Sequence, residues 1–227
     1  MLKAVIFDLD GVITDTAEYH YLAWQKTAKK LQINFDREFN EELKGISRID
    51  SIYKILEYGK VLDQFSQSEI KDLAAQKNLL YKDLIREITV NNILPGIKNF
   101  LQECQDAGLM IGLASASQNG SAILKRLGIM HLFDTIVDPM TLKKGKPHPE
   151  IFEKAASQLG VEVENCVGIE DAEAGVKSIK DAGIFAIGVG SVERMKQADW
   201  IIQTTQDLTL NKLKKVLCQK ENLKIAP

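Results

Sequence analysis

From residue 91 onward the chain alternates short apolar runs with helix-patterned stretches, and few folds accommodate that alternation. Strand-like runs at 109–114, 135–137, 166–169, 185–189 and 200–202 are separated by helical patterns at 97–107, 121–127, 149–159 and 172–182, with a last helix expected at 208–217. Strands and helices taken in turn build a parallel sheet with helices packed on it, because a parallel crossover needs a connection long enough to hold a helix. One more strand-like run, Val5-Ile6-Phe7, stands apart near the beginning. Between it and the others lie about seventy residues of helical pattern alone, at 17–31, 37–43, 51–56 and 66–86. In the first of these, Tyr21, Trp24, Ala28 and Leu31 recur at spacings of three and four, which puts them on one helical face. Ser66 and Glu69 open the last with capping-box spacing. The expected fold class is α/β, a parallel-sheet core interrupted after its first strand by a helical unit.

The composition narrows what such a fold would act on. The chain has 227 residues, 45% of them hydrophobic and 26% charged, with a formal net charge of −2. That near balance supplies no attraction for nucleic acid or an anionic membrane and favours a small-molecule partner. Cys104, Cys166 and Cys218 are widely spaced and form no C-x-x-C pair, so they are expected to be buried thiols in a reducing compartment. Met1-Leu2-Lys3 leads straight into the first strand-like run without a signal-peptide pattern, and no run approaches the ~18 apolar residues of a membrane span. The expected setting is cytoplasmic.

In open parallel sheets, ligands collect beyond the carboxyl ends of the strands. Asp8 and Asp10, Ser115, and Glu170-Asp171 all fall there, and Lys146 lies in an intervening loop. Asp10-Gly11 alone would pass for an ordinary turn dipeptide. Four carboxylates facing one small volume repel one another unless a hard cation sits among them, and Mg²⁺ favours such oxygen ligands. A lysine and a serine beside them suit a phosphoryl group. One carboxylate can attack phosphorus to form an aspartyl phosphate while a second moves the proton of a hydroxyl.

These residues carry a resemblance. Phe7-Asp8-Leu9-Asp10-Gly11, then Ser115, then Lys146-Pro147, then Gly168-Ile169-Glu170-Asp171 resemble the four ordered motifs of the haloacid dehalogenase superfamily. The likeness spans the whole chain. It implies a Rossmann-like core domain at 1–16 and 89–227 and an α-helical cap domain at 17–88 that closes over the active site. Asp8 through His20, Trp24, Leu43 through Arg48, Lys77-Asn78, and Ser115-Ala116-Ser117 with Asn119 resemble more narrowly the bacterial β-phosphoglucomutase family.

That narrower resemblance implies an isomerase interconverting β-D-glucose 1-phosphate and glucose 6-phosphate through β-glucose 1,6-bisphosphate. It makes Asp8 the nucleophile and Asp10 the general acid and base. One Mg²⁺ would be held by Asp8, Glu170 and Asp171 and by the backbone carbonyl of Asp10. Ser115 and Lys146 would hold the transferring phosphoryl group, while Arg48, Ser117 and Asn119 grip the other phosphate. Lys77, His20, Trp24, Gly45 and Ala116 would line the closed site, and Thr16 would lie at the hinge. The expected partners are sugar phosphates, and the expected state is a monomer.

Gln118 departs from the family pattern, which carries a lysine there, so a neutral amide joins the second phosphate subsite. Lys143 and Lys144 are possible compensating charges, and solvated lysines are the simpler reading of both. Ser117 and Asn119 are also common helix caps, a role compatible with binding phosphate at a helix N-terminus. Two other functions use the same fold. A sugar-phosphate phosphatase would differ only in admitting water, and a non-catalytic sugar-phosphate sensor would not require a carboxylate nucleophile.

Overall fold

The computed structural model describes residues 1–225. Six strands form one fully parallel sheet: β1 (Ala4–Phe7), β2 (Met110–Leu113), β3 (Thr135–Ile136), β4 (Cys166–Glu170), β5 (Phe185–Val189) and β6 (Trp200–Ile202). Their spatial order is β3-β2-β1-β4-β5-β6, so the first strand in sequence lies inside the sheet. Ala4 pairs with Met110 on one side and Cys166 on the other.

Strand geometry sends alternate side chains of β1 to opposite faces. Val5 and Phe7 join a core with α5 (Ile97–Asp106), α6 (Gly120–Arg126) and α10 (Leu210–Ile225). Ala4 and Ile6 face the other way, towards α7 (Glu150–Leu159), α8 (Glu173–Asp181) and Met195 of α9 (Val192–Met195). All four residues are fully buried, which is why the run is apolar throughout and does not alternate. Each large side chain so buried stabilises the fold by about 1.5–3 kcal/mol.

The inserted helices are α1 (Ala17–Lys30), α2 (Arg37–Glu41), α3 (Arg48–Tyr58) and α4 (Gln67–Leu84). They have a core of their own in which Trp24, Phe35, Phe39, Ile52, Ile55 and Ile70 pack. Ala23, Tyr81, Ile85 and Ile88 join the sheet-side core instead and seat the insertion on the sheet. The chain crosses between the two parts twice, side by side. Thr14 Oγ1 donates to the Asn92 carbonyl at 2.7 Å and the Leu94 amide to the Ile13 carbonyl at 2.9 Å.

The capping box is present, with Ser66 N donating to Glu69 Oε2 at 2.8 Å and Glu69 N to Ser66 Oγ at 3.3 Å. The helix expected at 51–56 begins earlier, at Arg48, because Ser47 Oγ accepts from the Asp50 amide at 3.1 Å and caps it there. The last helix starts at Leu210, after a 3₁₀ turn at Thr205–Asp207. Cys104 and Cys166 are buried as expected, whereas Cys218 is exposed. On α10 the stripe of Leu210, Leu213 and Leu217 packs inward, and the turn of about 100° per residue carries Cys218 off it. Among the described residues no helix is long and apolar enough to cross a membrane.

Candidate active site

Because the strands are parallel, their carboxyl ends share one edge of the sheet. Asp8 is the first residue beyond β1, Glu170 ends β4 and Ser115 follows β2 by two residues. The ladder runs past β1, with Asp8 N donating to the Ile169 carbonyl at 3.0 Å and Ala114 N to the Phe7 carbonyl at 2.8 Å. Asp8 Oδ2 accepts from the Asp10 amide at 3.0 Å, so the nucleophile candidate orders its own turn. Gly11 continues that turn at φ +80°, where a β-carbon would be strained and would also strike the Asp171 carboxylate.

Asp8, Glu170 and Asp171 offer carboxylate oxygens within 4.8 Å of one another. Lys146 is fully buried among them, with Nζ donating to Asp8 Oδ1 and to Glu170 Oε2, each at 2.6 Å. Burial opposes the Lys146 charge, but those two carboxylates outweigh it and hold its pKa above the usual lysine range. Lys146, with Lys77 acting on Asp10 and Lys44 and Arg194 on Asp171, does not balance four acids. Burial, then repulsion from Asp8, raises Glu170 well above its ordinary range and Asp171 to about 7. Asp10 is raised as well, by burial and then by Asp8 and Asp171. An all-oxygen donor set with excess negative charge fits a hard divalent cation. The Glu170 side chain has room only because residue 175, where α8 passes it, is glycine; a β-carbon there would overlap the carboxylate.

The acidic cluster opens into a cleft of about 1000 Å³ between sheet edge and insertion, lined by Asp8, Asp10, His20, Trp24, Gly45, Arg48, Lys77, Ala116, Ser117, Gln118, Asn119, Lys146 and Asp171 among others. Ser115, Glu170 and Thr16 are buried nearby without lining it. Thr16 starts α1 beside the double crossing. Gly45, at φ +75°, lets the insertion approach the sheet edge, since a β-carbon there would lie 2.9 Å from Ala172 Cβ.

On the insertion side, Lys77 is only 2% exposed, and its Nζ lies 4.5 Å from the Trp24 ring centre and 4.9 Å from that of Tyr81. Lys77 Nζ is 2.8 Å from His20 Nδ1, and His20 Nε2 lies 3.8 Å from Asp10 Oδ2. An ammonium donating to Nδ1 would leave the ring proton on Nε2, towards Asp10. Tyr81 supports the imidazole at 4.1 Å between ring centres.

Burial, then Arg48, brings the Lys77 pKa down from 10.5 to about 7. Between those values the unfolded chain binds a proton that the native chain lacks, so this group makes stability rise with pH. The cost of burying its charge is felt in full below about pH 7. Accordingly, Lys77→Met should compare more favourably with the parent in urea midpoint at pH 6 than at pH 9. A difference that does not vary with pH would rule out this titration.

Two hydrogen bonds span the cleft. Arg48 Nη2 donates to Gln118 Oε1 at 2.7 Å, and Asn119 Nδ2 donates to Asn78 Oδ1 at 2.9 Å. Gln118 also contacts the Met140 sulfur through its amide nitrogen. Asn119 occupies the N-cap position of α6, but its side chain makes no capping bond and turns to Asn78 instead. Ser115 Oγ accepts from Ser117 N at 3.1 Å, and Ser117 Oγ from Asn119 N at 3.2 Å. Lys143 and Lys144 are exposed at the mouth. The steric need for Gly11 and Gly175, the Tyr81 support of His20 and the Asn78–Asn119 bond were not read from the sequence.

Comparison with known proteins accords with this geometry. Residues 2–183 match the family described as haloacid dehalogenase-like hydrolase. The chain belongs to that family. A β-phosphoglucomutase of Bacillus subtilis (strain 168) is 50% identical over 212 residues, covering 93% of this chain and 94% of the relative. The crystal structure of β-phosphoglucomutase from Clostridium difficile is 47% identical and superimposes with a TM-score of 0.95 over 97% of this chain and 99% of its own. More distant is a phosphorylated carbohydrates phosphatase of Thermotoga maritima, 26% identical over 223 residues that span 95% of this chain and all of the relative. The relatives thus include both phosphoglucomutases and a phosphatase.

Proposed function

We infer that this chain is a β-phosphoglucomutase, an isomerase interconverting β-D-glucose 1-phosphate and glucose 6-phosphate. The observation that carries the reading is 50% identity to a β-phosphoglucomutase along nearly the whole chain. The cleft supports it by offering two sets of groups suited to phosphate. Lys146 donates to Asp8 Oδ1, and Arg48, Ser117 and Asn119 also line the cleft, with Arg48 bonded to Gln118. A mutase needs both, because its intermediate, β-glucose 1,6-bisphosphate, must be held by either phosphate in turn. Residues 1–16 and 89–227 act as the catalytic core domain and 17–88 as the cap.

In this mechanism Asp8 Oδ attacks phosphorus of the sugar bisphosphate as the P–O bond to the sugar oxygen breaks, carries the phosphoryl group, and gives it back to a hydroxyl of the next sugar phosphate. Asp10 is suited to proton transfer at the sugar hydroxyl, since burial and its acidic neighbours raise its pKa. Lys146 and Ser115 would stabilise the phosphoryl oxygens as charge moves onto them. Arg48 offers a planar fork to the non-reacting phosphate, so binding there would draw the cap down and exclude water. His20, Lys77, Trp24, Gly45, Ala116 and Gln118 complete the wall around the sugar. Asp8, Glu170 and Asp171, with the Asp10 carbonyl, would hold one Mg²⁺, which supplies positive charge to offset repulsion between carboxylate and phosphate. The expected partners are sugar phosphates alone, with a monomer as the working state, and sugar-phosphate chemistry with free thiols suits the cytoplasm.

The competing reading is a sugar-phosphate phosphatase, kept in view by the Thermotoga relative. With β-glucose 1-phosphate, Mg²⁺ and a trace of bisphosphate, glucose 6-phosphate should form well in excess of orthophosphate. Dominant orthophosphate release would favour the phosphatase.

A further inference from the structure

The loop that carries Lys146 has little regular structure of its own, yet it must bring an ammonium to within 2.6 Å of two carboxylates in a fully buried position. Its own turn closes through His148 N, which donates to the Gly145 carbonyl at 3.0 Å. The amides of Lys143 and Lys144 are taken by a side chain: Glu150 Oε1 accepts from Lys143 N and Oε2 from Lys144 N, both at 2.9 Å. These bonds favour the ionised carboxylate and lower its pKa. On the other flank of Lys146, buried Ser178 Oγ donates to the His148 carbonyl at 2.7 Å.

Glu150 is the first residue of α7, which is anchored in the core by Ile151, Phe152, Ala155 and Ala156. Lys146 Nζ lies 5.0 Å from the centre of the Phe152 ring on the same helix. One rigid element therefore holds the entry to the loop and cushions the ammonium that the loop delivers. We propose that Glu150 is a positioning residue for phosphoryl transfer, fixing the Lys143–Lys144 backbone so that Lys146 Nζ reaches Asp8 and Glu170. It touches neither substrate nor reacting atoms and acts through Lys146. A carboxylate suits the task because two parallel N–H groups need two acceptor oxygens, which an amide lacks.

The inference rests on the phosphotransfer reading above, and its test separates the two. Glu150→Gln should lower kcat about 10- to 100-fold, the scale of an ångström-sized misplacement, with KM changing about twofold or less because Arg48 and Asn119 are untouched. Glu150→Asp keeps both oxygens and should recover part of the loss. Rates are to be measured well below each variant's melting temperature. In a Lys146→Met background, Glu150→Gln should change the residual rate about twofold or less, since nothing remains to be positioned. A full second loss in that background would overturn the proposal and leave Glu150 a general stabiliser; so would wild-type kcat in Glu150→Gln. A parent protein that converts no β-glucose 1-phosphate would instead refute the function and not the positioning role.

Discussion

Asp8→Asn will abolish phosphoryl transfer while leaving the fold intact. The amide has the size of the carboxylate but no anionic oxygen with which to attack phosphorus, so kcat should fall by roughly 10⁴-fold or more. Stability should hold or rise when no metal is added, because the substitution removes one charge from a cluster of four acids that Lys146, with Lys77 acting on Asp10 and Lys44 and Arg194 on Asp171, does not balance. Lys146 keeps its 2.6 Å bond to Glu170. The checks are initial rates, thermal unfolding, and incorporation of labelled phosphate into the protein from labelled bisphosphate. Retained turnover or retained labelling would place the nucleophile elsewhere.

Lys146→Met should damage both stability and rate. Removing one partner from a buried ionic group leaves the others uncompensated, at a cost of about 3–5 kcal/mol. In a protein of this size that corresponds to a fall in melting temperature on the order of 10 °C. The penalty should be smaller with millimolar Mg²⁺ present, if the cation takes over neutralising Asp8, Glu170 and Asp171. Losing a donor to the phosphoryl oxygens should lower kcat by a further ~10²–10³-fold relative to correctly folded enzyme. An unchanged melting temperature would mean that the ammonium is not needed to hold the acids together.

The parts of the molecule legible in the sequence are those written locally. The α/β alternation and the helical insertion followed from periodicity, and the capping box at Ser66 and Glu69 from two residue types at a fixed spacing. Asp8, Asp10, Ser115, Glu170 and Asp171 were placed near one another by strand ends in a parallel sheet, and Lys146, in a loop, by its place among the ordered motifs. What escaped depends on which surfaces meet. Gln118 was weighed as a weakened phosphate ligand, but in the structure its carbonyl oxygen accepts from Arg48 across the cleft, a bond that a lysine could not make. Ser47 and Asp50 carried a capping signal that would have moved the start of α3 to its observed position. Cys218 was read by residue type alone; its helical phase would have placed it outside. Glu150 lies next to a recognised motif, and nothing local in its sequence announces that both its oxygens bind the backbone of the preceding loop.

The inner position of β1 bears on how the protein is made. During synthesis the strand leading to Asp8 leaves the ribosome before either of its neighbours: β2 emerges only after the helical insertion, and β4 only after more than fifty further residues. At ordinary translation speeds the wait for β4 is on the order of ten seconds. Until β2 emerges, Val5, Ile6 and Phe7 lack both of the sheet partners that later bury them, and until β4 emerges one edge stays open to unwanted pairing. The nascent chain can form the insertion's helices first, since their contacts are local, while the catalytic edge assembles last. A chain stalled before Cys166 would therefore carry Asp8 on a strand still lacking one of its two neighbours.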